Sequence, residues 1–436
     1  MANSQTPSGW KTFRLSDLGL VDRGKSRHRP RYAAHLYGGP YPFIQTGDIK
    51  ASGGRIMTFN QTYSEAGLAQ SRLWPAETLA ITIAANIAET AILTFPACFP
   101  DSIVGFLADR SVCEPLYIEY SFRTLRSRIQ DEATGTVQDN INLEILRGLQ
   151  LTLPPLDEQR AILRILRPLD DKIELNRRMN QTLEDICRAL FKFWFVDFGP
   201  VRAKQEGRWK KGKSLPGMPA DMWDLWPSEF EESEIGEIPK GWGATSLGAE
   251  LRTVLGGTPP RSNPAFWTNG QVNWINSGEV NRFRITTSSD RITEEAVENS
   301  AAKPIPARTT VLAITGATIG QVSITEIATT TNQSVVAVIP SECIPTEFIY
   351  FWVRERMQDL LARQTGGAQQ HINKNDVNDL PLLLPDSQVM GQYRSFAEPL
   401  FGRIRIGEFE SLSLKEVRDA LIPKLLSGEI RVKVDA

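Results

Sequence analysis

Thr134-Gly135-Thr136-Val137-Gln138-Asp139-Asn140-Ile141-Asn142 comes back 231 residues later as Thr365-Gly366-Gly367-Ala368-Gln369-Gln370-His371-Ile372-Asn373. Other stretches recur at nearly the same interval. Pro7-Ser8-Gly9-Trp10 returns as Pro239-Lys240-Gly241-Trp242, and Thr78-Leu79 through Ile87-Ala88 aligns with Thr310-Val311 through Ile319-Gly320, both 232 apart. Pro168-Leu169 and Ala189-Leu190 return as Pro399-Leu400 and Ala420-Leu421 at 231. An interval that drifts by one residue over two hundred marks two copies of one folded unit, not a short solenoid repeat.

Each copy reads as two parts. In the first part, short β-branched runs alternate with Gly, Pro, Asn and Thr punctuation. Residues 79–83, 311–315 and 334–339 have the character of buried strands, and the last is stopped by Pro340. Helical windows follow at 115–128 and 345–364, so each copy begins with a mixed α/β globule. The second part is a long helix. After Leu153-Pro154-Pro155, Asp157-Glu158-Gln159 places acidic and polar groups in the first turn, where the helix dipole favours them. A heptad seam then runs through Ile162, Leu166, Leu169, Ile173, Asn176, Asn180, Leu183, Cys187, Leu190 and Trp194. Its counterpart is weaker: Tyr393, Ala397, Leu400, Ile404, Gly407, Ser411, Leu414, Arg418, Leu421 and Leu425. Both seams turn polar or small at the same middle positions, Asn176 and Asn180 in one, Gly407 and Ser411 in the other. Buried polar residues at a seam set register at some cost in stability. Pro168 and Pro399 are expected to kink or restart each helix. The alternative is that each helix packs only on its own globule.

These signals divide the chain into a globule at 1–153, a helix at 154–198, a linker at 199–238, a second globule at 239–385 and a second helix at 386–436. The linker carries a basic stretch (Arg202, Lys204, Arg208, Lys210, Lys211, Lys213), then tryptophans, then an acidic run from 229 to 237, without apolar periodicity. Trp209, Trp223 and Trp226 are candidates to dock it.

Composition narrows the function classes. Apolar residues make up 41% and charged residues 23%, ordinary for a globular protein. No apolar run reaches membrane length and residues 1–20 lack a signal-peptide pattern, so the expected location is the cytoplasm, with no membrane partner. Four well-separated cysteines fit a reducing compartment, and three histidines argue against a His/Cys metal site. A net charge of −2 gives no global nucleic-acid signature, so any DNA-binding surface is local or shared with a partner.

Gly207-Arg208-Trp209-Lys210-Lys211-Gly212-Lys213-Ser214 matches the letters of a phosphate-binding loop. That loop needs a buried strand before it and a helix after it, and neither flank has that character. No catalytic constellation emerges, and the Asp/Asn-Pro-Pro-Tyr/Phe grip of amino-methyltransferases is missing. Leu153-Pro154-Pro155-Leu156 and Thr258-Pro259-Pro260-Arg261 have the prolines without the polar lead or the aromatic.

What recurs in matching places is polar loops. The first contains Arg23, Lys25, Ser26, Arg27, Arg29 and Arg31; its counterpart contains Thr258, Arg261 and Ser262. Gly24 aligns with Gly256 and Arg29 with Arg261. Glycine permits close backbone approach, and arginine can take a phosphate or a guanine edge. A solvated turn is the plain alternative. The second loop offers Gln138 and Asn140, against Gln369, Gln370 and His371; Gln and Asn can pair an adenine edge, or simply hold a Thr-Gly turn. A third pair, Gln45-Thr46-Gly47-Asp48 and Asn276-Ser277-Gly278-Glu279, has one carboxylate per globule and reads as a turn or cap.

With these residues in view the chain resembles, over essentially its whole length, the specificity subunit of type I restriction–modification systems. The resemblance rests on the duplicated frame, on Ile238-Pro239-Lys240-Gly241-Trp242, Gly256-Gly257-Thr258-Pro259, Trp274-Ile275-Asn276-Ser277-Gly278-Glu279-Val280 and Gly316-Ala317-Thr318-Ile319-Gly320. Leu153-Pro154-Pro155-Leu156-Asp157-Glu158-Gln159 and Leu425-Leu426-Ser427-Gly428-Glu429-Ile430 complete it. It implies two target-recognition domains, each reading half of a split double-stranded DNA site. It implies two long helices packed as an antiparallel coiled coil with pseudo-twofold symmetry, docking two methyltransferase subunits. It also implies that S-adenosylmethionine, and ATP with Mg, belong to the methyltransferase and to restriction/translocase partners, with no cofactor on this chain. The first copy departs from the pattern: Arg27-His28-Arg29 stands where the second has Pro259-Pro260-Arg261, and Ala84-Ala85-Asn86-Ile87-Ala88 replaces the Gly-Ala-Thr-Ile-Gly loop. Helices of about 40 residues span about 60 Å, enough to set two readers roughly one DNA turn of about 34 Å apart. The competing readings are a stand-alone DNA-modifying enzyme and an interaction scaffold that never touches DNA.

Overall fold

Both globules are built on a sheet of the same strand order. In the first, Gly19–Arg23, Ile103–Ala108, Leu79–Thr82 and Thr90–Leu93 lie side by side, antiparallel throughout, and Arg55–Ile56 adds a parallel edge. In the second, Thr253–Leu255, Val335–Val338, Thr309–Ala313 and Val322–Thr325 repeat that order. The computed structural model describes residues 7–28, 30–84, 86–134, 141–362 and 371–433.

The central strands are buried on both faces, which is why they read as continuous apolar runs. In each globule one face packs under a helix that follows the sheet, Pro115–Thr134 in the first and Thr346–Glu355 in the second. The structure shifts one part of the sequence alignment by a residue. The Ile141 amide donates to the Ile83 carbonyl and the Ile372 amide to Ile314, while the Thr78 hydroxyl donates to Pro75 and that of Thr309 to Pro306. Thr78 therefore corresponds to Thr309, not Thr310. The extra residue sits in the following turn, whose closing amides, Ala88 to Thr82 and Gly320 to Ala313, are again 232 apart. A strand has a period of two, so the one-residue shift decides which side chains face the helix: Ile81 and Ile83 match Leu312 and Ile314.

The two long helices, Leu156–Phe195 and Ser387–Leu426, are 40 residues each and start 231 apart. Neither proline restarts its helix. Pro168 and Pro399 are both exposed, on the side where water can donate to the carbonyl that loses its N–H partner. The chain forms two compact units, residues 1–172 with 413–436 and residues 173–412, so each unit holds one globule and a stretch of both helices. Within the second unit the helices run antiparallel: Phe191 and Trp194 meet Tyr393, while Asn176 meets Gly407 and Ser411. Of the seam positions, Ile162, Leu166, Asn176, Asn180, Cys187, Trp194, Tyr393, Ala397, Ile404, Gly407, Ser411 and Leu425 are buried. Leu169, Ile173, Leu183, Leu190, Leu400, Leu414 and Leu421 are half-buried.

The polar middles of the two seams face each other. The Asn176 amide donates to the Gly407 carbonyl (3.4 Å), to Glu410 (2.8 Å) and to Ser411 Oγ (3.3 Å). Asn180 donates to Glu408 at 2.8 Å. Gly407 is small for a reason: a Cβ there meets Asn180 Oδ1 at 2.6 Å.

Residues 199–238, read as a linker without periodicity, are folded into the second unit. They form a helix (Gly199–Gln205), a 3-10 turn (Ala220–Leu225) and a hairpin of Phe230–Ser233 with Gly236–Pro239. Trp209, Met218, Met222 and Trp226 join the core with Trp194 and Phe195. Lys204 Nζ donates to the carbonyls of Trp223 and Trp226 over the Trp223 ring, and its burial lowers its pKa. Scattered tryptophans and one lysine cage do here what a periodic apolar face does elsewhere. Segment 207–214 follows a helix and turns Trp209 inward, so it has no phosphate-loop geometry. Among the described residues, no helix is long and apolar enough to cross a membrane and no cluster could hold a metal ion.

Candidate nucleic-acid interface

The first pair of polar loops leaves the sheet at equivalent points. The Gly24 amide donates to Ile103 and that of Gly256 to Val335. A Cβ at Gly24 meets the Pro100 carbonyl at 2.3 Å, and one at Gly256 meets the Asn332 carbonyl at 2.2 Å. The close approach these glycines permit is therefore to their own chain. Each loop is also tied to the turn before the sheet's last strand in chain order, at residues 232 apart. Arg31 Nη2 donates to both carboxylate oxygens of Asp101 (3.0 and 3.2 Å), and the Thr258 hydroxyl donates to Gln333.

Beyond that frame the predicted residues separate. Arg23, Arg27 and Arg31 are exposed, Lys25 is half-buried, and Ser26 is buried at 7%. Thr258, Arg261 and Ser262 are exposed together. Arg261 donates to Asp290 at 2.8 Å and lies over the Trp267 ring. His371 is exposed. Arg29, Gln138, Asn140, Gln369 and Gln370 lie outside the described residues. In the third pair, Asp48 accepts from the Gln45 amide (2.8 Å) and Glu279 from that of Asn276 (3.1 Å), the geometry of helix caps. Both carboxylates are cap groups.

One arginine escaped the sequence reading. Arg72 pairs with Asp22 at 3.0 Å and sits 3.9 Å over Trp74, beside Ser71, whose hydroxyl donates to the Lys25 carbonyl. It belongs to the same surface as loop 23–31. Its one signal was Arg72-Leu73-Trp74, an arginine two residues before a buried indole.

Each globule is fastened to the long helices through buried charge. In the first unit Arg123 pairs with Glu119 (2.8 Å) and Asp170 (3.8 Å), Tyr120 donates to Asp170, and Arg418 pairs with the same carboxylate at 2.7 Å. Burial pushes the Glu119 carboxyl up, against the pull of Arg123. In the second unit Arg354 pairs with Glu184 at 2.6 Å, Tyr350 donates to it at 3.0 Å, and the fully buried Arg284 meets it at 2.9 Å. Arg284 also faces Glu326, which Arg405 of the second helix approaches at 3.6 Å. These groups join each globule to the helices of its own unit.

Comparison with known proteins identifies the family. The family described as the Type I restriction modification DNA specificity domain matches residues 7–185 and 239–395, one match per copy. The chain is similar to the Type I restriction enzyme HindI specificity subunit of Haemophilus influenzae, 30% identical over 69% of this chain and 73% of that one. It is similar along 98% of its length to the Type I restriction enzyme MjaIX specificity subunit of Methanocaldococcus jannaschii, at 24% identity and 95% coverage of that protein. A crystal structure of a type I restriction–modification S subunit from M. genitalium shares the fold, with a TM-score of 0.56 at 14% identity over 97% of this chain and 98% of that one.

Proposed function

The chain belongs to the family of type I restriction–modification DNA specificity subunits, and we propose that its two globules read the two halves of a split double-stranded DNA site for partners that carry the chemistry. The observation that carries this reading is a frame held constant while the exposed loop contents differ. Both sheets have one strand order and both loops leave at matched glycines, yet one presents Arg27 and Arg31 and the other Arg261. Such loops read different half-sites from similar mounts.

The helices support docking of two methyltransferase subunits. Ile165, Leu175 and Ile186 on the first helix are exposed, and so are Phe396, Ile406 and Val417 on the second, each 231 residues on. Exposed apolar side chains at matched positions of the two helices suit two copies of one partner. S-adenosylmethionine then belongs to the methyltransferase subunits, and ATP with Mg to restriction subunits.

Replacing residues 1–150 with the reader of another specificity subunit is expected to change one half-site and leave the other intact in methylation maps. If both halves change, or neither does, the modular reading is wrong. Methyl transfer by the purified chain alone counts against it as well. Leu175→Glu and Ile406→Glu are each expected to weaken partner binding about tenfold or more, at one of two sites. Binding stoichiometry by titration checks this.

A further inference from the structure

Arg261 is held more firmly than a surface ion pair requires. Its guanidinium lies 3.5 Å from the Trp267 ring centroid and 5.2 Å from that of Trp274. Nη2 donates to Asp290 at 2.8 Å. Both indoles are fixed to the loop that carries the arginine: Trp267 Nε1 donates to the Pro260 carbonyl (3.2 Å) and Trp274 Nε1 to that of Gly257 (3.1 Å). Stacking sets the plane of the guanidinium, and the carboxylate sets its direction. Yet the side chain remains 56% exposed, and no other hydrogen bond from the described residues engages it.

Two chemistries on a duplex could use such a group, and the surroundings separate them. A phosphate contact gains from net positive charge and tolerates a mobile side chain, because its energy comes from counterion release. Asp290 neutralises much of that charge, and the stacked rings remove the mobility. A guanine edge offers two acceptors, O6 and N7, in a fixed plane, and rewards a guanidinium oriented in advance. We propose that Arg261 reads a guanine in the half-site addressed by the second reader, with Asp290 and Trp267 as positioning residues. The proposal rests on the DNA-reading assignment above.

The test uses the chain assembled with its methyltransferase partner. Methylated sites are mapped for the wild type, Arg261→Lys and Asp290→Asn, and binding to the mapped site is measured over a series of salt concentrations. Lysine keeps the charge but cannot make the bidentate contact. Expected for Arg261→Lys is a loss of about 5- to 150-fold preference for guanine at one position of one half-site, with the other half-site and the salt dependence unchanged. Asp290→Asn is expected to relax the same position to a smaller degree. Weakening of all sequences alike, with the recognised sequence unchanged, identifies a phosphate contact and overturns the proposal. So does an unchanged map in both variants. If the wild-type assembly methylates no split site, the DNA-reading assignment itself fails, a result distinct from any behaviour of Arg261.

Discussion

The arginines that fasten the two globules, Arg123 and Arg354, stand 231 residues apart, but the acids they meet do not. Asp170 and Glu184 both lie on the first long helix, about four turns from one another. Where the repeat predicts a second Asp170 there is Phe401, under the Tyr350 and Phe351 rings; where it predicts a second Glu184 there is Lys415. Duplication preserved the need for an anchor and let each anchor find its own counter-charge. The second also holds one wholly buried arginine. Arg123, Arg418 and Arg354 keep 21%, 12% and 36% of their side chains exposed, whereas Arg284 has none.

That difference can be broken directly. Glu184→Leu takes one of two carboxylates from a fully buried guanidinium and unpairs Arg354 as well, and removing one member of a buried pair costs about 3–5 kcal/mol. Asp170→Leu leaves arginines that can turn toward water, so a smaller loss of about 1–3 kcal/mol is expected. Denaturant unfolding of the two variants compares them, and equal losses would show that burial does not distinguish the anchors. At the helix crossing, Gly407→Ala drives a methyl into Asn180 and is expected to cost about 1–3 kcal/mol. Gly402→Ala on the same helix meets nothing within 4 Å and is expected to stabilise by up to about 1 kcal/mol. Thermal melts of the pair read the sign. Gly320, at φ +82°, matches Ala88, which holds φ +61° without being glycine. Gly320→Ala should therefore fold, losing about 1 kcal/mol for the left-handed backbone, again visible by melting. The smallest stability effect is expected for Asp101→Asn. Its pair with Arg31 is exposed and worth less than about 1 kcal/mol. Methylation maps of that variant should change, if at all, only in the half-site that Arg261 does not address.

Much of this architecture was legible because it was written twice. The repeat interval located the globules and the 40-residue helices, and the polar positions Asn176, Asn180, Gly407 and Ser411 marked the crossing. What escaped has physical causes. Segment 199–238 folds through isolated tryptophans, which leave no periodic pattern. The shift of Thr78 onto Thr309 was hidden because two adjacent threonines, Thr309 and Thr310, offer equal matches, and hydrogen bonds alone choose between them. The counter-charges of Arg123 and Arg354 lie far away in sequence, with no spacing rule to reveal them. Arg72 joined the first loop only through the fold. Gly24 and Gly256 were visible as a pair, but the neighbours that make them necessary were not.

The crossing of the long helices carries a consequence for the ancestry of the chain. Asn180 fits because Gly407, the counterpart of Asn176, has no side chain. An assembly of two first halves would set Asn180 against Asn176 and crowd the contact. Two second halves would set Ser411 against Gly407 and leave a gap. At this contact the halves are a lock and its key rather than two identical locks.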